Sequence, residues 1–320
     1  MKKIVSLFVV FSVLMAMVIG VYAESNAVTD KVILSKDDLS KKNFKEARKL
    51  SANEVTLSEY DLIKESFGKS YNQLLEMGID EKQAKKLANV EDTIMKKVRE
   101  LHLLDNKTLL DQGYSQKQIK AIRSINTKFS NNSRRSCSGL NTLSNSEILS
   151  SAEARKLLGE VSMHVKPYSI TKELKYVYFD WNWDSKPFVV RTDGIGFAWD
   201  GGFRTEGDKV GAKIEYVNGN NSGTKKISRS DIDILAGAGW GFDIQMSSGP
   251  SHTAPAWAKS GQGGFWLTNP NNKKTIQIVW KYGHGMYTLT GGCVDIKGTL
   301  SIGFSDGVKE MCEDDAIWKW

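Results

Sequence analysis

Tryptophan is missing from the first 180 residues; all nine tryptophans lie at or after Trp181. The chain is therefore two unlike halves. Cysteine is nearly missing too, with Cys137, Cys293 and Cys312 as the whole set. Three cysteines rule out a disulfide framework and leave at least one thiol unpaired. No C-x-x-C or H-x-x-x-H spacing occurs, which argues against zinc. There is no G-x-S-x-G elbow, no H-E-x-x-H, and no carboxylate pair that glycoside hydrolysis would single out. The formal charge is +7, from 44 basic and 37 acidic residues, yet no dense Lys/Arg block stands out. Nucleic acid is therefore not an expected partner.

The start has a pattern of its own. Lys2 and Lys3 precede an apolar run from Ile4 to Val21, broken by Ser6, Ser12 and Gly20, and Val21-Tyr22-Ala23 closes it. A basic start, an apolar core and an A-x-A-like end predict a secretory signal cleaved near Ala23, hence a secreted, extracellular chain. An uncleaved anchor is the competing reading, since about 18 residues can span a bilayer. Polar residues from Glu24 onward favour cleavage. No second apolar span follows.

Residues 27–128 read as helices, with apolar residues recurring at three and four. Leu57, Tyr60, Ile63 and Phe67 make one face; Leu87, Val90, Ile94 and Val98 make another. An internal echo runs through this region: LLEMGIDEKQAKKL begins at Leu74 and LLDQGYSQKQIKAI at Leu109. In each copy a helix ends in Leu-Leu. Gly78 or Gly113 follows, where a left-handed backbone is cheap for glycine. Ile79 or Tyr114 packs back. Asp80 or Ser115 caps the next helix, with Gln83 or Gln118 completing a capping box. The expectation is a duplicated helix-turn-helix joint in a bundle that acts as spacer, prodomain or contact module. His102 reads as a core-edge histidine.

Ser and Asn dominate residues 129–151, which predicts a linker. Arg134-Arg135 would be an exposed basic pair there, and Cys137 the free thiol. A short helix is expected over about 151–162.

From Tyr176 the period changes to two. Val177, Phe179, Trp181 and Trp183 share a face, as do Ile195, Phe197 and Trp199; Phe242, Ile244 and Met246; Ile276, Ile278 and Trp280; and Leu300, Ile302 and Phe304. Half-buried strands have this pattern. Asn218-Gly219, Asn269-Pro270 and Asp306-Gly307 supply turns. The fold expected for residues 165–320 is an all-β antiparallel sandwich, jelly-roll-like or a barrel, following the helical N-terminal region.

Trp181, Trp199, Trp266 and Trp280 fall in alternating stretches and read as core. Trp240 and Trp257 fall in stretches that read as irregular loops, and Trp318 and Trp320 flank Lys319 at the end. These four are the candidate binding residues, because an exposed indole offers a flat apolar face and an N–H donor. Asp193 and Asp200 belong to a set of loop or edge carboxylates, and Asp231 with Asp233 is the weak calcium candidate pair. Calcium is possible; no other cofactor is expected. His284, Cys293 and Asp295 could form a cysteine-nucleophile set. A Cys293–Cys312 disulfide, the economical pairing, would forbid it. The role expected is non-catalytic binding of a glycan, a cell-envelope polymer or a protein. A membrane-binding or pore-forming, toxin-like protein is the first alternative, because Thr288 to Ser305 has the Ser/Thr/Gly texture of such strands; Thr299 to Ser305 gives seven well-alternating residues, against the roughly 9–11 a spanning strand needs. A secreted cysteine hydrolase is the second. Oligomeric state is not legible.

Overall fold

The computed structural model describes residues 45–46, 54–79, 81–125, 149–169, 171, 174–205, 210–219, 221–227, 231–235, 237–248, 256–285, 294–298, 300–304 and 308–319. The expected signal segment, Arg134-Arg135, Cys137 and residues 129–148 of the linker lie outside them.

Two short strands come first, β1 (Lys45–Glu46) and β2 (Glu54–Ser58). Six helices follow: α1 (Glu59–Ile63), α2 (Tyr71–Glu76), α3 (Glu81–Leu87), α4 (Val90–His102), α5 (Asn106–Asp111) and α6 (Gln116–Ser124). Helix α7 (Ser151–Leu157) leads into the β part. Strand β3 (Glu160–Ser169) starts directly after α7, so the helix is shorter than expected. Next come β4 (Leu174–Trp183), β5 (Thr192–Trp199), β6 (Val210–Asn218), β7 (Asn221–Lys226) and β8 (Ile232–Leu235). The rest are β9 (Gly239–Gln245), β10 (Ser247–Ser248), β11 (Ala256–Thr268), β12 (Thr275–Gly285), β13 (Val294–Gly298), β14 (Ser301–Phe304) and β15 (Val308–Lys319).

Two antiparallel sheets face one another. One runs β1-β3-β4-β11-β6-β7, with β2 pairing β3 and β10 pairing β11; the other runs β15-β12-β5-β9-β8. Neither closes on itself, so the architecture is an open sandwich and not a barrel. The expected alternation fills the space between. Phe179 of β4 meets Phe197 of β5 at 4.8 Å between ring centroids and Trp240 of β9 at 5.6 Å. Trp199 stacks on Phe265 of β11 at 5.6 Å. Each such ring takes about 150–250 Å² out of water. Trp266 departs from expectation: it is half-buried on the outer face of the larger sheet, 5.0 Å from Tyr176.

Glycine makes room for these rings. A Cβ on Gly261 would lie 2.0 Å from the Trp181 ring, and one on Gly263 2.3 Å from Phe179. Both glycines sit directly across from the aromatic they admit. They belong to strand interiors, where missing side chains let a neighbouring group approach closely.

The glycine turn of both helix joints forms as expected; Asp80, the expected cap of the first, lies outside the described residues. Gly78 has φ +82° and Gly113 φ +92°. Gly78 N–H donates to Leu75 and Ile79 N–H to Leu74; Gly113 and Tyr114 repeat the pair on Leu110 and Leu109. This is the Schellman arrangement, which satisfies the last carbonyls of a helix. Ser115 and Gln118 cap each other's backbone reciprocally. The two copies differ in use. The first builds a small cluster of its own from Leu74, Ala84 and Leu87. The second joins the larger helical core, which reaches Leu157 and Phe188. The region is not wholly helical, because Glu54–Ser58 forms β2 and adds to the sandwich edge along β3. Leu57 therefore sits on a strand, while Tyr60, Ile63 and Phe67 keep the expected helical cluster.

Candidate functional site

Three chain segments far apart in sequence bring ionisable groups together at the seam between the helical part and the sandwich. Glu59 is the first residue of α1, Asp193 lies on β5 and His284 is next to last on β12. All three side chains are 0 % exposed. Ser58 and Asp61 cap α1 reciprocally and fix where Glu59 points. His284 Nδ1 is 2.7 Å from Asp193 Oδ1, and Nε2 is 3.2 Å from Glu59 Oε1. Burial pushes the imidazole pKa down, but the charge and hydrogen bond of Asp193, with those of Glu59, outweigh it and raise it to about 10. An imidazolium donating through both nitrogens to two carboxylates fits that geometry.

The surroundings complete the network. Glu59 Oε2 accepts from the backbone N–H of Gly159 and of Phe188, each at 2.7 Å, and Oε1 accepts from Val189 N–H at 2.9 Å. Asp193 Oδ1 also accepts from Gly285 N–H at 3.1 Å. Trp183 Nε1–H donates to the Tyr282 hydroxyl at 3.1 Å, which donates to Asp193 Oδ2 at 2.6 Å. Lys97 of α4 donates to Phe188 O beside this cluster, its ammonium 4.8 Å from the Phe188 ring. Burial holds Lys97 below the usual lysine range, against the pull of Glu59. Buried charges persist when paired and fully hydrogen-bonded. With all three side chains sealed from solvent, the cluster binds elements together.

A second seam lies at the other helix joint. A Cβ on Gly113 would lie 2.2 Å from Trp257 Nε1. Gln118, buried, donates through Nε2 to Leu157 O and Lys186 O, both at 2.8 Å. The Lys186 ammonium donates to Gln112 O at 2.9 Å and lies 5.1 Å from the Tyr114 ring centroid. Burial, with Lys97 nearby, pushes its pKa down to about 8.

The outer face of the five-stranded sheet carries a third feature. β13 and β14 pair as a hairpin with Val294 opposite Phe304 and Ile296 opposite Ile302. Val294 and Ile302 are buried against Ala198 and Val279, with Ile296, Leu300 and Phe304 partly buried around them. The sheet beneath is paved with glycine. A Cβ on Gly196 would meet Ile302 at 2.7 Å, on Gly241 Val294 at 2.5 Å, and on Gly239 Ile296 at 3.0 Å.

These positions revise the sequence reading. Trp240 and Trp257 are 0 % and 2 % exposed, in β9 and β11, and offer no face to a ligand. The glycines around Trp240 suggested a loop because glycine commonly breaks strands; here they seat the hairpin. Trp257 does make a contact, with the chain's own Gly113. Trp318 is placed on β15 opposite Ile276, and Trp320 lies outside the described residues. His284 meets Asp193 and Glu59, and its companions in the proposed nucleophile set are not seen with it. Cys293 lies outside the described residues, as does any bridge from it to Cys312 of β15, and Asp295 is placed on β13 opposite Gly303. Asp231 and Asp233 are exposed at and beside β8, and no group of three potential metal ligands forms among the described residues. Glu59 was missed. A glutamate beginning a helix looks like any first-turn acid, and its partners at 159, 188, 189 and 284 carry no local signal.

Neither a protein-family model nor a curated protein matches the chain. Among solved structures, the collagen-binding domain of a Staphylococcus aureus adhesin shares 10% identity over 46% of this chain and 87% of its own, with a TM-score of 0.26. A pore-forming protein shares 9% over 50% and 86%, with a TM-score of 0.24. The Clostridium perfringens NetB toxin in its membrane-inserted form shares 9% over 50% and 90%, with a TM-score of 0.20. Superpositions this loose assign neither a fold nor a function.

Proposed function

We propose that this is an exported, non-enzymatic protein that acts on lipid membranes through the β13–β14 hairpin. One observation carries the reading: the hairpin's apolar cluster lies on a surface of glycine, Ala198 and Val279, separate from the sandwich core. Lifting it off would leave the core between the sheets intact. The hairpin's apolar side chains would then need a new apolar environment, and a bilayer supplies one.

The neighbouring strands favour the same reading. β12 and β15 pair antiparallel up to Gly285 opposite Val308. In the segment that joins them, Thr299 to Ser305 alternates apolar with small polar residues, the sequence texture that a membrane-facing strand has. Trp240 and Trp257, two of the four candidate binding residues, are interior and lend the glycan-binding expectation no support.

The test is dye release from liposomes by the full secreted chain, alongside co-sedimentation. Release that disappears when Ile302→Asp and Phe304→Asp are introduced is expected. A chain that neither sediments with vesicles nor releases dye, but whose tryptophan emission shifts with soluble envelope polysaccharide, would overturn the membrane reading.

A further inference from the structure

We infer that a cavity at one end of the sandwich, walled by Arg204, Thr205 and Asn271, is a binding site for a phosphate group. The inference stands apart from the membrane reading. The β5–β6, β8–β9 and β11–β12 connections meet at this end, where Trp199 faces Ile278, Ala198 faces Gly239 and Arg204 bridges to Thr268. β12 starts here and runs away to Gly285. Between the connections lies a cavity of about 470 Å³, lined by Gly202, Phe203, Arg204, Thr205, Gly237 and Asn271. Sites for small ligands are commonly of this size.

The walls are fixed by bonding of their own. Arg204 N–H donates to Thr268 O at 3.1 Å, and Arg204 O accepts from Thr268 N–H at 2.9 Å and from its hydroxyl at 3.2 Å. The backbone under the guanidinium is therefore locked to β11, while the residue itself is exposed. Asn269 closes the next connection: its Nδ2 donates to Lys273 O at 2.8 Å, and its Oδ1 accepts from Lys273 N–H at 2.9 Å. Asn271 sits inside that closed loop. Gly202, at φ +107°, makes room for it, because a Cβ there would lie 3.0 Å from Asn271 Nδ2 and 3.3 Å from Lys273 Nζ.

The lining selects the ligand. Its six residues carry one positive charge and no negative one. A guanidinium is a planar fork of donors that meets phosphate oxygens two at a time. The Asn271 amide adds two donors. Thr205 Oγ1 is buried without a hydrogen-bond partner among the described residues, a state that buried hydroxyls seldom keep. A phosphate oxygen in the cavity supplies that partner after a turn about χ1. Asp200 is already engaged, Oδ2 with Lys273 Nζ at 3.2 Å and Oδ1 with Gln277 N–H at 3.0 Å. In the sequence, Arg204 and Lys209 are balanced by Glu206 and Asp208. Selection therefore comes from directed bonds and not from a general positive field. Donors come from separate connections, which suits a tetrahedral group with oxygens in several directions better than a flat carboxylate. The phosphate can belong to a soluble monoester or to a lipid headgroup.

The experiment titrates the full chain with inorganic phosphate and follows backbone amide shifts by NMR. The amides of Gly202, Thr205 and Gly237 should shift together. Arg204→Gln keeps the backbone contact with β11 and should weaken binding by about tenfold or more, because a charge-assisted bond is lost. Thr205→Val should weaken it by about threefold or more. Lys213→Gln, in the middle of β6, removes the same charge elsewhere and should change nothing. Three results overturn the site: no shift with phosphate, equal losses in Arg204→Gln and Lys213→Gln, or the same shifts with glucose and none with phosphate. A second arm separates the sources, by co-sedimenting the chain with phosphatidylcholine vesicles that contain phosphatidic acid. Vesicle binding that needs Arg204 and is displaced by free phosphate supports a headgroup site. Phosphate binding beside vesicle binding that ignores Arg204 supports a soluble monoester. Dye release through the hairpin is judged separately, since Ile302→Asp and Phe304→Asp leave the cavity lining unaltered.

Discussion

Raising the pH from 6.5 to 8 should weaken the fold, through His284. The imidazole titrates near 6.5 in the unfolded chain and at about 10 in the folded one. The native state therefore keeps a proton that the unfolded state has released. A raised base of this kind contributes its full stabilisation below pH 6.5 and loses it as the pH climbs through 10. Between those values stability falls by about 1.4 kcal/mol per pH unit. Lys186 acts in the opposite sense. Its pKa falls from 10.5 to about 8, so the cost of burying its charge is relieved as the pH passes from about 8 to 10.5. The clean window for His284 is therefore pH 6.5–8. Over that interval the expected loss is about 2 kcal/mol. At a urea m-value near 2 kcal/mol/M the unfolding midpoint drops by about 1 M. Tryptophan emission is a suitable probe, because Trp181, Trp183, Trp199, Trp240 and Trp280 all lie fully inside the sandwich. A midpoint that stays level or rises across this window refutes the argument, as does an NMR titration that deprotonates His284 near pH 6.5.

Three other outcomes follow from the same contacts. Gly78→Ala should cost about 1–2 kcal/mol for the left-handed backbone alone, since open space surrounds it. Gly113→Ala adds a collision with Trp257 and should cost about 1–3 kcal/mol more by urea denaturation; equal losses at the two joints would deny that the second is docked. Gln118→Leu leaves the buried Leu157 and Lys186 carbonyls without their donor and should cost about 1–3 kcal/mol for each, lowering Tm by several degrees. A change of under half a kcal/mol would mean the joint does not depend on it. Gly241→Val drives a side chain into Val294 and should loosen residues 294–304 in hydrogen exchange while the interior of β4 stays protected; unchanged protection there would show that the hairpin does not rest on this glycine.

Local rules were read correctly where local chemistry decides. Gly78, Gly113, Ser115 and Gln118 act within a few residues of themselves, so their spacing was enough to place both joints. The alternation of Val177, Phe179, Trp181 and Trp183 likewise placed one face of β4 in the core. The same alternation misled about the opposite face, where Tyr176 and Tyr178 are covered by Tyr168 and Trp266 instead of water. Glycine misled most. At Gly239, Gly241, Gly261 and Gly263 it marks another group's seat, and a seat is defined by a residue on a different strand. A sequence window holds the glycine without its occupant. β2 escaped notice because five residues beside a long helical region carry too little pattern to outweigh it.

Glu59, Asp193 and His284 raise a question that stability alone does not answer. Desolvating three charges is expensive, and apolar residues of similar volume often serve a fixed interface equally well or better. The sandwich already has such an apolar core between its sheets. Its seam with β2 and α1 is ionic even though the surrounding residues, Trp183 and Phe188, are aromatic. An apolar seam would hold by area and loosen gradually. The ionic one depends on all its members, since removing any one strands its partners without water. That all-or-none character suits a contact meant to be either made or broken. The protonated imidazole makes it specific in register as well, because Nδ1 and Nε2 each require a carboxylate in one place. The apolar contact under the hairpin and the hydrogen-bonded cluster at Glu59, Asp193 and His284 therefore differ in kind.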